Sequence, residues 1–441
     1  MNKYKYPIIL SLIVFLACIA YSFYFKIPPR GDEQTYDNVA VNFLNGKGFI
    51  ERLDIPIYKD RGIFYSTLGQ GYVIFLAFLY KLFGHYYAVV WIVQALLHAL
   101  TALFLFFICL LIFKDSADKI GLLAMGIYGF WPDLIESTAM LLTEPVFLFF
   151  AVLTIYFLIK FFQKPKIATV FLLSSGIALG SSIRPTLNLI LLVIAVLILV
   201  RKPQKWPIYL LILIVFPILI SVLFMYRNYV QYNRFTLTTT AGYDLWVGNN
   251  INANGEFEIA PEIRNYFENY GFFDIGKKGI SEVKKFATEY PVKFIKLQMI
   301  KTSKYFSLIR PSGWWPHLNK VEKSLTLLFS GLFGAIGFIF GISGMWKAFK
   351  GKDFFHRLLV YLAVCGPVAV IPIVVGTRYR YQIYPLLAIF AAYFLINLFQ
   401  KRQKILYKIP LTIFAVLVLN SIYDLITNYN VFLEHVHRII K

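Results

Sequence analysis

Apolar runs long enough to cross a membrane dominate this sequence of 441 residues. A transmembrane helix needs about 20 consecutive, mostly apolar residues to cross the hydrocarbon core of a bilayer. Hydrophobic residues make up 59 % of the chain and charged residues 15 %, whereas soluble proteins are nearer about 45–50 % and about 25 %. The runs lie near residues 6–25, 87–113, 119–136, 144–162, 167–182, 186–200, 207–226, 324–346, 357–375, 382–399 and 409–427. The sequence therefore predicts an all-α polytopic membrane protein.

The number of crossings depends on one further apolar run, residues 71–83, which is short for a span and contains Lys81. If this run lies at the membrane surface, the short basic loops nearly all fall on the side of the N-terminus. The positive-inside rule makes that side the cytoplasm. We therefore predict about eleven transmembrane helices, with the N-terminus inside and the C-terminus outside. The basic residues near the C-terminus fit this topology less well.

Several other functions are not supported by the sequence. The net charge of +21 comes mostly from these short loops, so it indicates membrane topology and not nucleic-acid binding. Cys18, Cys109 and Cys365 lie far apart inside apolar runs and suggest no disulfide framework. The first apolar run is longer than that of a signal peptide, so we expect it to be retained. No Walker A loop, Rossmann fingerprint or nucleophile elbow occurs in a suitable context.

Two long segments are predicted to face outward from a single membrane domain that comprises residues 1–441. The segment 26–86 contains the acidic pair Asp32–Glu33 and the surface helix 71–83. The segment 227–322 contains apolar residues at helical spacing between lysines, with Pro291 in a helix-opening position. Such lysine-rich amphipathic helices are typical of a membrane surface.

Charged side chains recur at the span ends that this topology places on the outer face. They are Asp32, Glu33, Glu144, Arg184, Arg227, Arg378 and Arg380. Ionisable groups at membrane depth are costly and usually line a pathway or a site. The candidate catalytic residues are therefore the carboxylates of Asp32, Glu33 and Glu144.

Each carboxylate also has a purely structural interpretation. Asp32 opens a helix that is predicted to run to about Asn45, and aspartate is a favoured N-cap residue. Glu33 in the first turn suits the helix dipole. Glu144 precedes Pro145, a pair that is typical of a helix start with proline at its first position.

The basic residues are candidate ligands for a phosphate. Arginine offers a planar, bidentate set of donors that matches phosphate oxygens. Transfer from a lipid-linked sugar phosphate needs such cations beside the leaving group and a carboxylate that deprotonates the acceptor hydroxyl. Arg378 and Arg380 could instead extend to the interface, and Lys59 and Arg61 could be solvated loop residues.

An ordered set of short motifs resembles the bacterial GT-C glycosyltransferases, the group that contains the protein O-mannosyltransferases and aminoarabinose transferases. The motifs are Asp32–Glu33 with Tyr36, Gly69–Tyr72, Leu82–Gly84, Gln94–Leu96, Trp131–Pro132, Thr143–Pro145, Gly180–Pro185, Arg227–Tyr229, Leu245–Asn250 and Arg378–Arg380. The usual proline pair before the Gly-Tyr motif is absent, since Ser66–Gln70 stands there.

The resemblance implies a GT-C-like helix bundle with outward-facing juxtamembrane helices. It implies that Asp32 is the catalytic base and that Glu144 assists. Lys59 is the counterpart that the resemblance implies for a lysine of this region in the aminoarabinose transferases, and it is a candidate substrate-binding residue. The further candidate substrate-binding residues are Tyr36, Arg61, Arg184, Arg227, Asn249, Arg378 and Arg380. Asp32, Glu33 and Glu144 have the oxygen ligands that a divalent cation prefers, but nothing in the sequence requires one.

The sequence thus predicts a glycosyltransferase of the bacterial cytoplasmic membrane with an outward-facing active site. Its donor would be a polyprenyl-phosphate-linked sugar, and its acceptor a hydroxyl group of a lipid, glycan or protein. A flippase for lipid-linked glycans is the main alternative, although it would favour charges buried in mid-span and matching halves. A membrane scaffold would not need acids and arginines gathered on one face.

Overall fold

The computed structural model of the chain describes residues 4–51, 64–65, 69–237, 241–310, 315–401, 404–429 and 433. Helices account for nearly all regular structure in these ranges, and one antiparallel strand pair, β1 (Ile50–Glu51) with β2 (Phe64–Tyr65), completes it. In chain order the helices are α1 (Lys5–Phe25), α2 (Asp32–Leu44), α3 (Gln70–Phe83), α4 (Tyr87–Ile112), α5 (Ala117–Gly129), α6 (Pro132–Thr138), α7 (Glu144–Gln163), α8 (Ile167–Ile183), α9 (Asn188–Arg201), α10 (Trp206–Tyr232), α11 (Ala241–Val247), α12 (Pro261–Glu289), α13 (Pro291–Phe306), α14 (Lys320–Ala335), α15 (Gly341–Lys350), α16 (Phe354–Val370), α17 (Tyr384–Lys401) and α18 (Lys404–Thr427).

Seven helical segments of the described residues are long and apolar enough to cross a membrane. They are Lys5–Phe25, Tyr87–Ile112, Glu144–Gln163, Trp206–Val230, Lys320–Lys350, Thr377–Gln400 and Lys408–Thr427. The segment Lys320–Lys350 joins α14 to α15 through a π-helical turn, Ile336–Phe340. Four shorter apolar helices are Gln70–Phe83, Ile167–Ile183, Pro185–Arg201 and Phe354–Val370. The predicted all-α polytopic membrane fold is confirmed.

One predicted span is wrong as a continuous helix. The apolar run 119–136 forms two helices, α5 and α6, which are separated at Phe130 and Trp131. The cause is Pro132, because a proline disfavours the helical conformation of the residue before it. The indole of Trp131 stacks on Tyr384 with ring centroids 3.9 Å apart. The predicted span 207–226 also extends further, since α10 ends at Tyr232.

The predicted helix starts agree with the structure. Helix α2 begins at Asp32, α7 begins at Glu144 and α13 begins at Pro291. The run 71–83 forms α3, although its position at the membrane surface stays a prediction. Cys18, Cys109 and Cys365 are buried as free thiols.

The chain divides into two compact units. Unit 1 comprises Met1–Leu111 with Ile135–Thr239, and unit 2 comprises Ile112–Leu134 with Thr240–Lys441. Each is described by itself below, and the prediction of a single membrane domain stays a prediction.

In unit 1, α7 packs along α8, and α8 also contacts α10 and α3. Two hydrogen bonds join the helix ends that carry the basic loops of this unit. Gln163 Nε2 donates to Leu111 O at 2.8 Å, and the Tyr209 hydroxyl donates to Pro165 O at 3.4 Å. Because α7 begins at Glu144 and ends at Gln163, its acidic end lies opposite these basic loops. The predicted topology, which places these two ends on opposite sides of the membrane, stays a prediction.

In unit 2, α17 packs against α5 and α15, α11 against α12, and α13 against α18. The π-helical turn crosses the Trp131 indole at Gly337, where any side chain would overlap the ring. The connection between α16 and α17 contains a 3₁₀ segment, Thr377–Ile383, which carries Arg378 and Arg380.

Candidate active site

The first turn of α2 presents two carboxylates in different environments. Gly31 occupies the N-cap position with φ 55°, a conformation that glycine adopts without steric cost. Asp32 is the first helical residue and is exposed, whereas Glu33 is 1 % exposed. The N-cap interpretation of Asp32 is therefore wrong, because Gly31 fills that position. Both carboxylates still benefit from the helix dipole.

Tyr36 holds α2 against α3. Its ring packs edge-to-face on Tyr72 with centroids 5.2 Å apart, and it covers Gly69. The Tyr72 hydroxyl donates a 2.8 Å hydrogen bond to Gln94 Oε1 of α4. Gln94 Nε2 in turn donates to Met140 O at 2.7 Å. Tyr36, predicted to bind substrate, is thus a mostly buried residue that packs α2 onto its neighbours.

Asp37 is an acidic residue that the sequence reasoning did not single out. Its carboxylate accepts hydrogen bonds from the hydroxyls of Tyr80 and Tyr87, both at 2.7 Å, and lies 2.8 Å from His85 Nε2. These three partners lie at the corner between α3 and α4. Asp37 therefore fixes the middle of α2, and with it the direction in which the first turn projects Asp32. The sequence indicates this contact only through the closeness of Tyr80, His85 and Tyr87, whose polar rings lie within eight residues.

Glu51 on β1 is a second acid that was missed. Asn42 Nδ2 donates to Ile50 O at 2.8 Å and so ties β1 to α2. Glu51 is 4 % exposed, and its side chain is hydrogen-bonded to Thr35, one helical turn after Asp32. Burial raises the pKa of Glu51, the Thr35 hydrogen bond opposes this rise, and the nearby charge of Asp32 adds to it. A buried carboxyl group therefore lies beside the exposed Asp32.

Glu144 and Arg184 form a buried ion pair in unit 1. Arg184 Nη2 donates to Glu144 Oε1 at 2.6 Å, and Arg184 Nε donates to Thr143 Oγ1 at 2.9 Å. The guanidinium group also lies 5.9 Å from the centre of the Phe147 ring. Glu144 is 1 % exposed, so its charge needs this partner. The predicted assisting acid and the predicted phosphate ligand thus neutralise each other.

A glycine contact links this ion pair to the α2 region. Gly71 of α3 packs directly on the backbone of Ser182, two residues before Arg184, where a Cβ atom would lie 2.7 Å from the carbonyl carbon. Tyr72, the next residue, contacts Tyr36 of α2. One continuous set of contacts therefore runs from the α2 region to the ends of α7 and α8.

Arg227 lies near the end of α10 and contacts Phe49, the residue before β1. Its guanidinium group is 5.0 Å from the centre of the Phe49 ring, and Nη1 donates to Asn228 Oδ1 at 2.7 Å. Phe49 is two residues before Glu51. The structure thus places Arg227 against the segment of chain that leads to Glu51.

The predicted residues of unit 2 lie in a different set of contacts. Arg380 is 3 % exposed, donates from Nη1 to Arg310 O at 2.7 Å and lies 4.6 Å from the centre of the Phe338 ring. Its Nε has no hydrogen-bond partner among the described residues. Arg378 is half-buried on the same 3₁₀ segment.

Asn249 is a buried connecting residue. Its Oδ1 accepts from Lys301 Nζ at 2.6 Å and from Gln298 Nε2 at 2.8 Å, and its Nδ2 donates to Pro372 O at 3.0 Å. Lys301 Nζ also donates to Ile373 O at 2.9 Å. Burial lowers the pKa of Lys301 to about 7. Asn249 thus holds the segment that precedes Arg378, and its predicted contact with substrate stays a prediction.

An ionic network that the sequence did not reveal lies near Arg380. Arg310 pairs with Asp424 through two hydrogen bonds of 2.6 and 3.0 Å and with Glu256 at 2.6 Å. Lys304 Nζ also donates to Glu256 at 2.7 Å. Burial alone would raise the pKa of Glu256, but Lys304 and Arg310 lower it overall. These residues come from three separate parts of the sequence, so no local motif indicates the network.

Two further predictions need separate mention. Lys59 and Arg61 lie outside the described residues. Within the described ranges, no three His, Cys, Asp or Glu side chains are grouped as a metal site would need, so the involvement of Asp32, Glu33 and Glu144 in metal binding stays open.

No family model matches the sequence, and no curated protein matches it. The structure is similar to those of oligosaccharyltransferases from the archaeon Archaeoglobus fulgidus. The apo form matches with a TM-score of 0.52 and 13 % identity, over 97 % of this chain and 56 % of that one. AglB in complex with an inhibitory peptide and a dolichol-phosphate matches with a TM-score of 0.50 and 12 % identity, over 95 % and 55 %. This chain thus spans about half the length of the structures it matches, and the likeness confirms a GT-C-like all-α membrane fold.

Proposed function

We propose that the chain is an inverting membrane glycosyltransferase that uses a polyprenyl-phosphate-linked sugar as its donor. The oxygen of an acceptor hydroxyl attacks the anomeric carbon of the sugar, and the bond from that carbon to the phosphate oxygen breaks. Asp32 accepts the hydroxyl proton, and polyprenyl phosphate leaves. The products are a glycoside with inverted configuration and the free lipid phosphate.

The observation that carries this proposal is the exposed carboxylate of Asp32 in the first turn of α2, held in a GT-C-like fold. A general base must reach its proton at hydrogen-bonding distance, so it must be accessible. Asp37 and the Tyr36–Tyr72 contact fix α2 on its other faces. Among the acids of unit 1 that the structure describes, Asp32 is exposed, whereas Glu33, Asp37, Glu51, Glu136 and Glu144 are buried, which makes Asp32 the preferred base.

In this proposal the other residues support Asp32. Glu33 and Glu144 set the electrostatic field of the site, Glu144 through its pair with Arg184. Arg184, Arg227, Arg378 and Arg380 remain the proposed donors to the phosphate on the basis of the sequence. Tyr36, Lys59, Arg61 and Asn249 remain proposed substrate-binding residues on the basis of the sequence.

The narrower assignment to the bacterial protein O-mannosyltransferase and aminoarabinose transferase group is also a proposal. It rests on the ordered motifs, from Asp32 through Arg380. The similar AglB structure contains a dolichol-phosphate and a peptide, which supports a lipid-phosphate donor as a class. We further propose that the protein resides in the bacterial cytoplasmic membrane with its site facing outward, where the acceptor is a lipid, a glycan or a protein.

The decisive experiment incubates the purified full-length protein with a panel of polyprenyl-phosphate sugars and detects release of polyprenyl phosphate. Release that requires an acceptor and is lost in Asp32→Asn is the expected result. Reactions with and without a chelator test the contribution of a divalent cation. Movement of the donor across a vesicle bilayer, with no release by any donor, would instead favour the flippase.

The orientation is tested separately by labelling single cysteines from each side of the membrane. Lys202 follows α9, and the exposed Ile251 follows Asn250 in the predicted outer segment. We expect Lys202→Cys to react from the cytoplasmic side and Ile251→Cys from the outer side. Reaction of both from the same side would contradict the topology without affecting the proposed chemistry.

A further inference from the structure

Helix α13 exposes three apolar residues near its start and buries two lysines near its end. Val292, Ile295 and Met299 are 79 %, 59 % and 60 % exposed, whereas Lys301 and Lys304 are 0 % and 1 % exposed. The three apolar residues follow each other at intervals of three and four, which places them on one face of the helix. In water such an arrangement is unfavourable, because apolar surface stays hydrated while charged groups lose their hydration.

The buried lysines are accounted for by contacts inside unit 2. Lys301 Nζ donates to Asn249 Oδ1 at 2.6 Å, and Lys304 Nζ donates to Glu256 Oε1 at 2.7 Å. The face that carries these lysines therefore belongs to the interior of this unit. The exposed apolar face is the part of α13 that still needs a suitable environment.

The C-terminal end of α13 is fixed to the end of a helix of membrane-spanning length. Asn420 Nδ2 donates to Ser303 O at 3.0 Å, and Leu308 N donates to Ser421 Oγ at 3.0 Å. Both polar partners lie in the last two turns of α18, whose segment Lys408–Thr427 is long and apolar enough to cross a membrane. Helix α13 therefore ends beside the last half of a helix that is long and apolar enough to cross a membrane, and lipid is the apolar environment that such a helix requires.

The charges of α13 indicate which lipid. Its sequence contains four lysines and neither aspartate nor glutamate. Lys293 and Lys296 are exposed beside the apolar face, and the Lys293 ammonium group lies 5.3 Å from the centre of the exposed Tyr290 ring. Lysines close to a bilayer attract anionic headgroups, and tyrosine is enriched at the headgroup level.

We propose that the exposed face of α13 is a binding surface for anionic lipids. Val292, Ile295 and Met299 enter the boundary between headgroups and acyl chains, and Lys293 and Lys296 contact anionic headgroups. This surface is independent of the proposed transferase reaction. It would gather anionic lipid around unit 2 whatever the protein catalyses.

The test uses the full-length protein in nanodiscs, with Met299→Cys carrying an environment-sensitive fluorophore. The native cysteines are buried, which favours labelling of the new one. Nanodiscs contain a quencher-labelled lipid with either a zwitterionic or an anionic headgroup. Glu262→Cys, an exposed position in the first turn of α12, is the matched control. Each variant is used only if it keeps its helical circular-dichroism signal and elutes as a single peak in gel filtration.

We expect both lipids to quench the label at position 299 and not the label at 262. The anionic lipid should quench more strongly, by about fivefold for each lysine that reaches the headgroups. The double variant Lys293→Gln/Lys296→Gln should remove this preference and keep the quenching itself. Equal quenching by both lipids in the labelled protein that keeps Lys293 and Lys296 would overturn the preference for anionic lipid. Absence of quenching at position 299 would show that this face of α13 does not contact lipid. If quenching then appears when the protein is diluted, a second copy of the chain covers this face instead of lipid.

Discussion

Arg184 donates a 2.6 Å hydrogen bond to Glu144, and the two side chains are 16 % and 2 % exposed. This ion pair joins the start of α7 to the end of α8 in unit 1. The sequence placed both residues at the outer ends of spans but gave them separate roles. Their contact means that neither can be changed without altering the charge that remains on the other.

The first prediction therefore concerns Arg184→Met. It removes the cation that is paired with the buried Glu144 carboxylate, so we expect a loss of ~3–5 kcal/mol in the free energy of unfolding. Adding Glu144→Gln should recover most of that loss, since the amide carries no charge. Thermal unfolding in detergent measures both variants.

The same double variant separates the structural role from phosphate binding. If Arg184 also donates to the phosphate, the restored protein should still bind donor more weakly, by about 1.5–3 kcal/mol. Normal donor affinity in a stable Arg184→Met/Glu144→Gln protein would show that Arg184 serves only to neutralise Glu144.

The second prediction concerns the packing of α3 on α8. A Cβ atom at Gly71 would lie 2.7 Å from the Ser182 carbonyl carbon, and backbone cannot yield as a flexible side chain does. We expect Gly71→Ala to destabilise the protein by about 1–3 kcal/mol, the usual cost of overpacking. In the helical control Gly126→Ala, nothing lies within 4 Å of the new atom, so it should be neutral or stabilising by about 0.5–1 kcal/mol. Equal stability of both variants would contradict this contact.

Much of the fold was predictable because its signals are local. The carboxylates of Asp32 and Glu144 and the ring of Pro291 each favour a helix start at that position in the chain. The length of an apolar run likewise depends on one stretch of sequence. Even the wrong span, 119–136, contains the residue that interrupts it, Pro132, although the apolar residues on either side favour one continuous helix.

Most of the site could not be predicted, because its contacts join distant parts of the chain. Asp37 meets Tyr80 and Tyr87 only after α2, α3 and α4 have packed. Asn249 carries the same amide whether it faces substrate or, as here, Lys301. Hydropathy and charge patterns indicate which residues face lipid or water. They do not indicate which polar side chains pair with each other in the interior of the protein.

The third prediction concerns pH and Lys301. Its pKa in the folded protein is about 7, below the ordinary 10.5, because the side chain is buried. Between these values the unfolded chain holds a proton that the folded chain releases, so folding becomes more favourable as the pH rises. Below about pH 7 Lys301 is protonated in both the folded and the unfolded state, so the free-energy cost of burying its charge no longer changes with pH.

Lys301→Met removes this titration. We therefore expect the stability of the wild type relative to Lys301→Met to rise between about pH 7 and pH 10 and to stay level below that range. Thermal unfolding midpoints across the range measure the difference. Thr302→Met, at the exposed neighbouring position, should show no such trend relative to the wild type. A flat difference for Lys301→Met would mean that the lysine keeps its ordinary pKa.

The last prediction concerns Asp32→Asn. Gly31 is the N-cap of α2, and Asp32 occupies the first helical position, so the exchange removes no capping side chain. Asparagine keeps the size of aspartate but cannot accept the proton of an attacking hydroxyl. We therefore expect the variant to fold, insert and bind donor, and to lose roughly 10²–10⁴-fold in transfer rate, the usual contribution of a general base.

Asp118→Asn is the matched control, because Asp118 is an exposed acid in the first turn of α5, and it should leave the rate unchanged. If Asp32 serves only the helix dipole, Asp32→Asn should instead cost about 0.3–1 kcal/mol of stability and keep nearly full turnover. Near-normal turnover by a well-folded Asp32→Asn protein would exclude Asp32 as the base.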